Sequence, residues 1–310
     1  MDYLYLFGGL VVLLISGDFL LKGSVSLAGH FKVSKLIIGV VIVSFGTSVP
    51  ELMVSVKAAL SGHPDIAIGN VIGSNISNIA LILGFTAILI PIHVKKKSIC
   101  FDWSVMMFAS VLLLVFTFDL KLQFVEGLIF IVLIIAYIFK SIYFSRKENI
   151  KSNTEFETPK YNIYLSLLFV AISIIGLVIG ANLLVSGGVG IARDFGVSER
   201  VISVSIIAFG TSLPELVTSI VAATRKELDI FIGNIIGSNI FNLLAILGIT
   251  SMLKTINVNP LILKFDIYYL FFVSILLLIF MLPLNKGVVT RWKGLIFVLV
   301  YCLYIYLVFI

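Results

Sequence analysis

Charge is scarce in this chain. Asp, Glu, Lys and Arg make up 12% of its 310 residues, against 60% hydrophobic, where a soluble domain carries about 25% charged residues. So few charges cannot solvate a globular surface, and a mean hydropathy of +1.17 points to a polytopic membrane protein. Cysteine is nearly missing. Cys100 and Cys302 stand alone in or beside apolar segments, which excludes a disulfide framework and any metal-ligand or redox spacing. Histidine is as rare: His30, His63 and His93 all sit near loops, and no Gly-x-Ser-x-Gly occurs. Catalysis of the Ser/His/Asp kind therefore has no support, and the chain reads as no enzyme. The N-terminus lacks a basic n-region and a small-residue cleavage signal, so residues 4–27 read as a retained first span.

The charges that are present sit in a pattern. Apolar stretches of about 20 residues, the length that crosses a bilayer, centre on 4–27, 36–60, 66–90, 100–118, 124–143, 162–187, 201–223, 229–252, 261–282 and 294–310. Counting Lys and Arg by alternate loops gives fifteen on one side and five on the other. That bias explains the net charge of +6 better than a nucleic-acid partner does, and it puts both termini outside with the 145–160 linker in the cytoplasm of a cell-membrane protein. Lys22 and Lys57 fall within spans and are expected to snorkel.

A constant offset of 164 superimposes residues 16–86 on 180–250 without a gap, with 25 of 42 positions identical from Phe45 to Thr86. The same offset pairs Phe101-Asp102 with Phe265-Asp266, and an offset of 167 pairs residues 127–130 with 294–297. Each repeat thus holds five spans: 1–144, then the 145–160 linker, then 161–310. Five is odd, so the second copy enters the bilayer inverted. The expected fold is an all-α polytopic membrane protein of ten transmembrane helices in two inverted five-helix repeats, the architecture of secondary transporters.

What repeats best is polar. Phe45-Gly46-Thr47-Ser48-Val49-Pro50-Glu51-Leu52 returns as Phe209-Gly210-Thr211-Ser212-Leu213-Pro214-Glu215-Leu216. Pro50 cannot donate to the carbonyl of Gly46, nor Pro214 to that of Gly210, so helices 2 and 7 are expected to be broken. Irregular backbone at membrane depth is tolerated only where it is buried in protein or lines a cavity, and an intramembrane carboxylate marks a functional site. In the third and eighth spans Asn70, Ser74 and Asn78, and Asn234, Ser238 and Asn242, recur every four residues as polar stripes. Gly69, Gly73, Gly233 and Gly237 read as helix-packing positions. Pooled, these segments offer two carboxylates, hydroxyls, amide oxygens and freed carbonyls. Oxygen ligands without His or Cys suit Ca²⁺, Mg²⁺ or Na⁺. One Ca²⁺, or several Na⁺ in turn, would neutralise two converging glutamates, and a site that cannot hold both is a site for exchange.

At these residues the sequence resembles the cation/Ca²⁺ exchangers, specifically their Na⁺/Ca²⁺ branch, whose alpha repeats carry Gly-Thr-Ser-x-Pro-Glu and Gly-Asn-x-Ile-Gly-Ser-Asn. The resemblance implies Na⁺/Ca²⁺ antiport by alternating access, about three Na⁺ per Ca²⁺, with no cofactor, in a protein able to work as a monomer. Carried over, Glu51, Glu215 and the carbonyls of Thr47 and Thr211 would hold Ca²⁺. Sodium would use these with Ser48, Ser74, Ser212 and Ser238 and the carbonyls of Ser44 and Ala208, and Asn78 and Asn242 would line the central position. The family also implies that the first and sixth spans slide against a fixed core. K⁺-dependent relatives often carry aspartate where this chain has Asn242, so K⁺-independence is expected. The rival reading is a Ca²⁺/H⁺ antiporter using the same glutamates; its branch has a glutamate where this chain has Ser74-Asn75 and Ser238-Asn239. A cation channel is a remoter alternative. Asp18, whose repeat mate is Asn182, reads as structural or as part of an access path, and Asp65, Asp229, Asp102 and Asp266 as helix-start acids.

Overall fold

Helices dominate because the apolar stretches leave the backbone no other way to satisfy its N–H and C=O groups in lipid. The computed structural model describes residues 1–94, 99–152, 158–196, 210–282 and 287–309, with the side chains at 99–100, 148–152 and 309 left aside. In chain order the described helices are α1 (Asp2–Phe31), α2 (Lys35–Thr47), α3 (Val49–Leu60), α4 (Pro64–Leu89), α5 (Phe101–Phe116), α6 (Phe124–Ser152), α7 (Ile163–Asp194), α8 (Leu213–Thr224), α9 (Leu228–Leu253), α10 (Ile262–Met281) and α11 (Arg291–Phe309). Among them seven are long and apolar enough to cross a membrane, or eight if the bent pair α2–α3 counts as one span. The shorter α5 and α8 are apolar too.

Local chemistry sets the ends. Lys32, left-handed at φ 53°, closes α1. The Ser34 hydroxyl accepts from the N–H of Ile37 to open α2, and Asn162 caps α7 through the N–H of Leu165 at 2.8 Å. Pro50, Pro64 and Pro214 stand in the first turns of α3, α4 and α8, where a missing N–H costs nothing. The expected 145–160 linker is half helix: α6 runs on to Ser152, because residues 145–152 hold no proline or glycine to stop it.

The helices form an inner and an outer set. The apolar stretch of α9 is 94% buried and that of α4 78%, whereas α1 and α7 are 33% and 28% buried. α1 and α7 pack along one another through glycines: a β-carbon on Gly9 would lie 2.7 Å from the Gly180 carbonyl oxygen, and one on Gly180 would lie 3.0 Å from that of Gly9. Backbones in such contact make a paired unit. The predicted packing glycines Gly233 and Gly237 meet α2, with a β-carbon at Gly237 only 2.8 Å from the Val40 carbonyl oxygen. Gly69 and Gly73 meet no described atom within 4 Å.

Two short antiparallel ribbons tie distant loops together. β1 (Ile92–His93) pairs with β4 (Val288–Val289), and β2 (Lys121–Leu122) with β3 (Ile256–Asn257). Each joins the first half of the chain to the second.

Two sequence expectations gain partners here. Asp102, in the first turn of its helix, and Asp266 each accept from a tyrosine hydroxyl at 2.8 Å, Tyr137 and Tyr304 respectively. A buried carboxylate needs such a partner. The ammonium of Lys22 lies 2.7 Å from the Asp18 carboxylate one turn back. Asp65 and Asp229 do sit in the first turns of α4 and α9.

Candidate cation site

The proline motif bends the second span as expected. α2 and α3 meet at 46°, with Ser48 at φ −85°, ψ 6°. Ser212, before α8, has nearly the same angles, −87° and 3°. The residues preceding Gly210, Ala208 among them, lie outside the described residues, so the break expected in helix 7 is seen only from its C-terminal side. Glu51 stands in the first turn of α3 and Glu215 in the first turn of α8. Helix N-termini present partial positive charge, which favours an anion there.

Both glutamates are buried, at 0% and 1% exposure, and lie within electrostatic reach of one another. Neither forms an ion pair among the described residues. Both carboxylate oxygens of Glu51 and Oε2 of Glu215 are buried without a hydrogen-bond partner among the described residues. The remaining oxygen, Oε1 of Glu215, accepts from the Ser48 hydroxyl at 3.2 Å. That bond crosses between the two proline motifs. A second crossing joins the Thr47 hydroxyl to Oδ1 of Asn234 at 3.3 Å.

Around the carboxylates the polar stripes of α4 and α9 supply more oxygen. Ser74, Asn78, Ser212, Ser238 and Asn242 are all buried. The hydroxyl of Ser238 and every side-chain polar atom of Asn78 and Asn242 lack partners among the described residues. Thr211 is half-buried. The helix winds wider at these asparagines: π-helical stretches run from Ser77–Leu83 and Asn242–Ile246, a local form common at functional sites. The expected freed carbonyl at Ser44 is engaged in this structure. It accepts the N–H of Ser48 at 3.0 Å and the Thr47 hydroxyl at 3.3 Å, because the segment stays helical until Ser48 and bends only there.

Asn70 and Asn234 act as struts. Asn70 donates to the Ser55 hydroxyl at 3.0 Å and to the Glu51 carbonyl at 3.2 Å, and Asn234 donates to the Ser219 hydroxyl at 3.3 Å. Ser55 and Ser219 are repeat mates that sequence reading passed over, although the 164 offset pairs them. A cavity of about 870 Å³ leads to this region between α3 and α7, and its lining reaches Pro50, Gly210 and Thr211. Among the described residues no group of three or more His, Cys, Asp or Glu is assembled. The donor set is therefore two carboxylates supplemented by neutral oxygens, which suits hard cations.

The model of the sodium/calcium exchanger protein family matches residues 1–143 and 165–310. The chain belongs to that family. The sodium/calcium exchanger MaX1 of Methanosarcina acetivorans is 30% identical over 347 residues, covering 99% of this chain and 98% of the relative. Inner membrane protein YrbG of Escherichia coli K12 is 32% identical over 275 residues, covering 86% and 85%. The sodium-calcium exchanger NCX_Mj, in its structure soaked with Na⁺ and Sr²⁺, matches at a TM-score of 0.83 and 33% identity, covering 98% of this chain and 97% of that one. The exchanger described here is accordingly an integral membrane cation/Ca²⁺ antiporter of a transport family, and not a member of a catalytic one.

Proposed function

We propose that this exchanger moves Ca²⁺ across the cell membrane in exchange for Na⁺, about three Na⁺ per Ca²⁺, and that K⁺ takes no part. The observation that carries the reading is the pair of buried glutamates, three of whose four oxygens lack hydrogen-bond partners among the described residues. Burying two ionised carboxylates without compensation costs several kcal/mol each, and a transported cation removes that cost. Glu51 and Glu215, with the carbonyls of Thr47 and Thr211, bind Ca²⁺. Na⁺ uses the same carboxylates with Ser48, Ser74, Ser212 and Ser238 and the carbonyl of Ala208, joined by that of Ser44 when the Thr47 hydroxyl turns away from it, while Asn78 and Asn242 face the central position. The hydroxyls of Ser74 and Ser238 favour Na⁺ over H⁺ as the coupling ion, and an amide at Asn242 removes the charge that K⁺ would use. Ions alone are bound; no cofactor is needed.

In this reading the chain has ten spans, α2–α3 counting as one, arranged as two inverted repeats, 1–144 and 161–310, with the linker cytoplasmic and both termini outside. The 870 Å³ cavity then faces outward. The slender pair α1–α7 slides against the buried helices to close it and open the other side, within a single subunit. The test is Ca²⁺ uptake into proteoliposomes carrying Glu51→Gln or Glu215→Gln. Each substitution is expected to cut Na⁺-driven uptake at least about ten-fold, the factor that corresponds to roughly 1.4 kcal/mol of lost binding. Uptake retained in both overturns the site.

A further inference from the structure

The two ends of the contact between the α1–α7 pair and the half-helices differ. At one end α7 stands off α3, and Ala181, Asn182 and Val185 face Lys57, Leu60 and Ser61 across the 870 Å³ cavity. The 164 offset maps Ala181, Asn182, Val185 and Ser61 onto Gly17, Asp18, Leu21 and Arg225. At that second end the described residues of α1 and α8 are in contact. A β-carbon on Gly17 would sit 3.5 Å from side-chain carbons of Val217 and Val221, ordinary contact, and Leu21 is buried at 4% exposure. A recess of about 260 Å³ on the linker side reaches as far as Asp18 and Leu21 and includes none of the site residues.

The closed end is fastened. Asp18 of α1 pairs with Arg225, just past the end of α8, at 2.8 Å, and with Lys22 at 2.7 Å. The repeat mates of the three are Asn182, Ser61 and Ser186, so no ion pair can form from them when the opposite end closes. We propose, on the alternating-access reading above, that Asp18 and Arg225 are an ionic latch for the linker side that their repeat mates do not reproduce at the other end. Each transport cycle makes this bond in one state and lacks it in the other. The latch therefore biases the exchanger toward the state open away from the linker. Asp18 is 22% exposed and Arg225 60%, and ion pairs this exposed shift an equilibrium by about two- to five-fold.

The test uses the full chain in lipid nanodiscs, where both faces meet the reagent, with Cys100→Ser and Cys302→Ser removing the native thiols. Leu21→Cys then reports opening of the linker side to a water-soluble maleimide, and Val185→Cys reports the cavity side. Asp18→Asn or Arg225→Gln is expected to speed labelling at the Leu21→Cys position about two- to five-fold, and the double variant no further. A second, independent construction supplies the missing bond: Asn182→Asp with Ser61→Arg in the otherwise intact chain. It is expected to raise the same rate by a similar factor while slowing labelling at Val185→Cys. In 1 M KCl, where charges are screened within about 3 Å, both effects should shrink. Labelling at both positions unchanged by either set of variants, or a linker-side reporter that never reacts, overturns the latch. The labelling does not depend on which ion is carried. An exchanger whose Ca²⁺ uptake ignores Na⁺ yet shows these shifts would refute the coupling reading and leave the latch standing.

Discussion

In the proposed site Glu51 and Glu215 act together on a cation. Glu51 occupies the first turn of α3 and Glu215 that of α8, where the backbone favours negative charge, yet three of their four oxygens have no hydrogen-bond partner among the described residues. Ca²⁺ should therefore stabilise the folded chain. At a free concentration one hundred times its Kd it is expected to add about 2.7 kcal/mol, read as a rise in unfolding temperature in detergent. Glu51→Gln should abolish most of that rise while leaving the ion-free protein at least as stable as the parent. A variant that keeps the full Ca²⁺-dependent rise would contradict the ligand role. The Asp102–Tyr137 pair behaves differently, since its bond is made without any ion. Tyr137→Phe leaves a buried carboxylate short of a donor and should cost about 1–3 kcal/mol, with Ca²⁺ uptake retained in the folded fraction. Residues at this scale were unevenly legible. The i, i+4 spacing of Asp18 and Lys22 is visible in the sequence, but Arg225, some two hundred positions away, is not. Tyrosine partners for Asp102 and Asp266 were equally hidden, because no motif announces a hydrogen bond that tertiary packing makes.

At the scale of elements, backbone proximity governs the α1–α7 pair. Gly180 lets Leu13 and the Gly9 carbonyl approach to about 3 Å of where its β-carbon would be. Gly180→Val should overpack this contact, costing roughly 1–3 kcal/mol and slowing exchange. An unchanged unfolding temperature would show that the pair is looser than its geometry. The bend at Ser48 was legible from Pro50, since a missing donor can only be read one way. The π-helical stretches at Asn78 and Asn242 were not. They depend on how one turn accommodates its neighbours, and residue type alone carries no signal for that. The extension of α6 to Ser152 into the expected linker has a simpler cause: Arg146, Lys147 and Glu148 are all good helix formers.

For the whole molecule, the repeat is what motivates the proposed architecture. Two copies of one motif at a fixed offset, separated by an odd number of apolar stretches, would enter the bilayer in opposite senses; the helical fold and its family were legible in this way, and the inversion stays part of the proposal. The offset does not reveal the ribbons β1–β4 and β2–β3, two residues a strand, which bind loops of the two halves to each other. Nor does it reveal the asymmetry between the cavity beside Thr211 and the ion pair at Arg225. The central claim is coupling. Purified exchanger in proteoliposomes, loaded with Na⁺ and diluted into Ca²⁺ medium, should accumulate Ca²⁺ and generate a current. Replacing internal Na⁺ with choline at fixed pH should stop uptake, and removing K⁺ should change nothing. Uptake that persists in choline under a proton gradient, or that requires K⁺ beside Na⁺, would contradict the account.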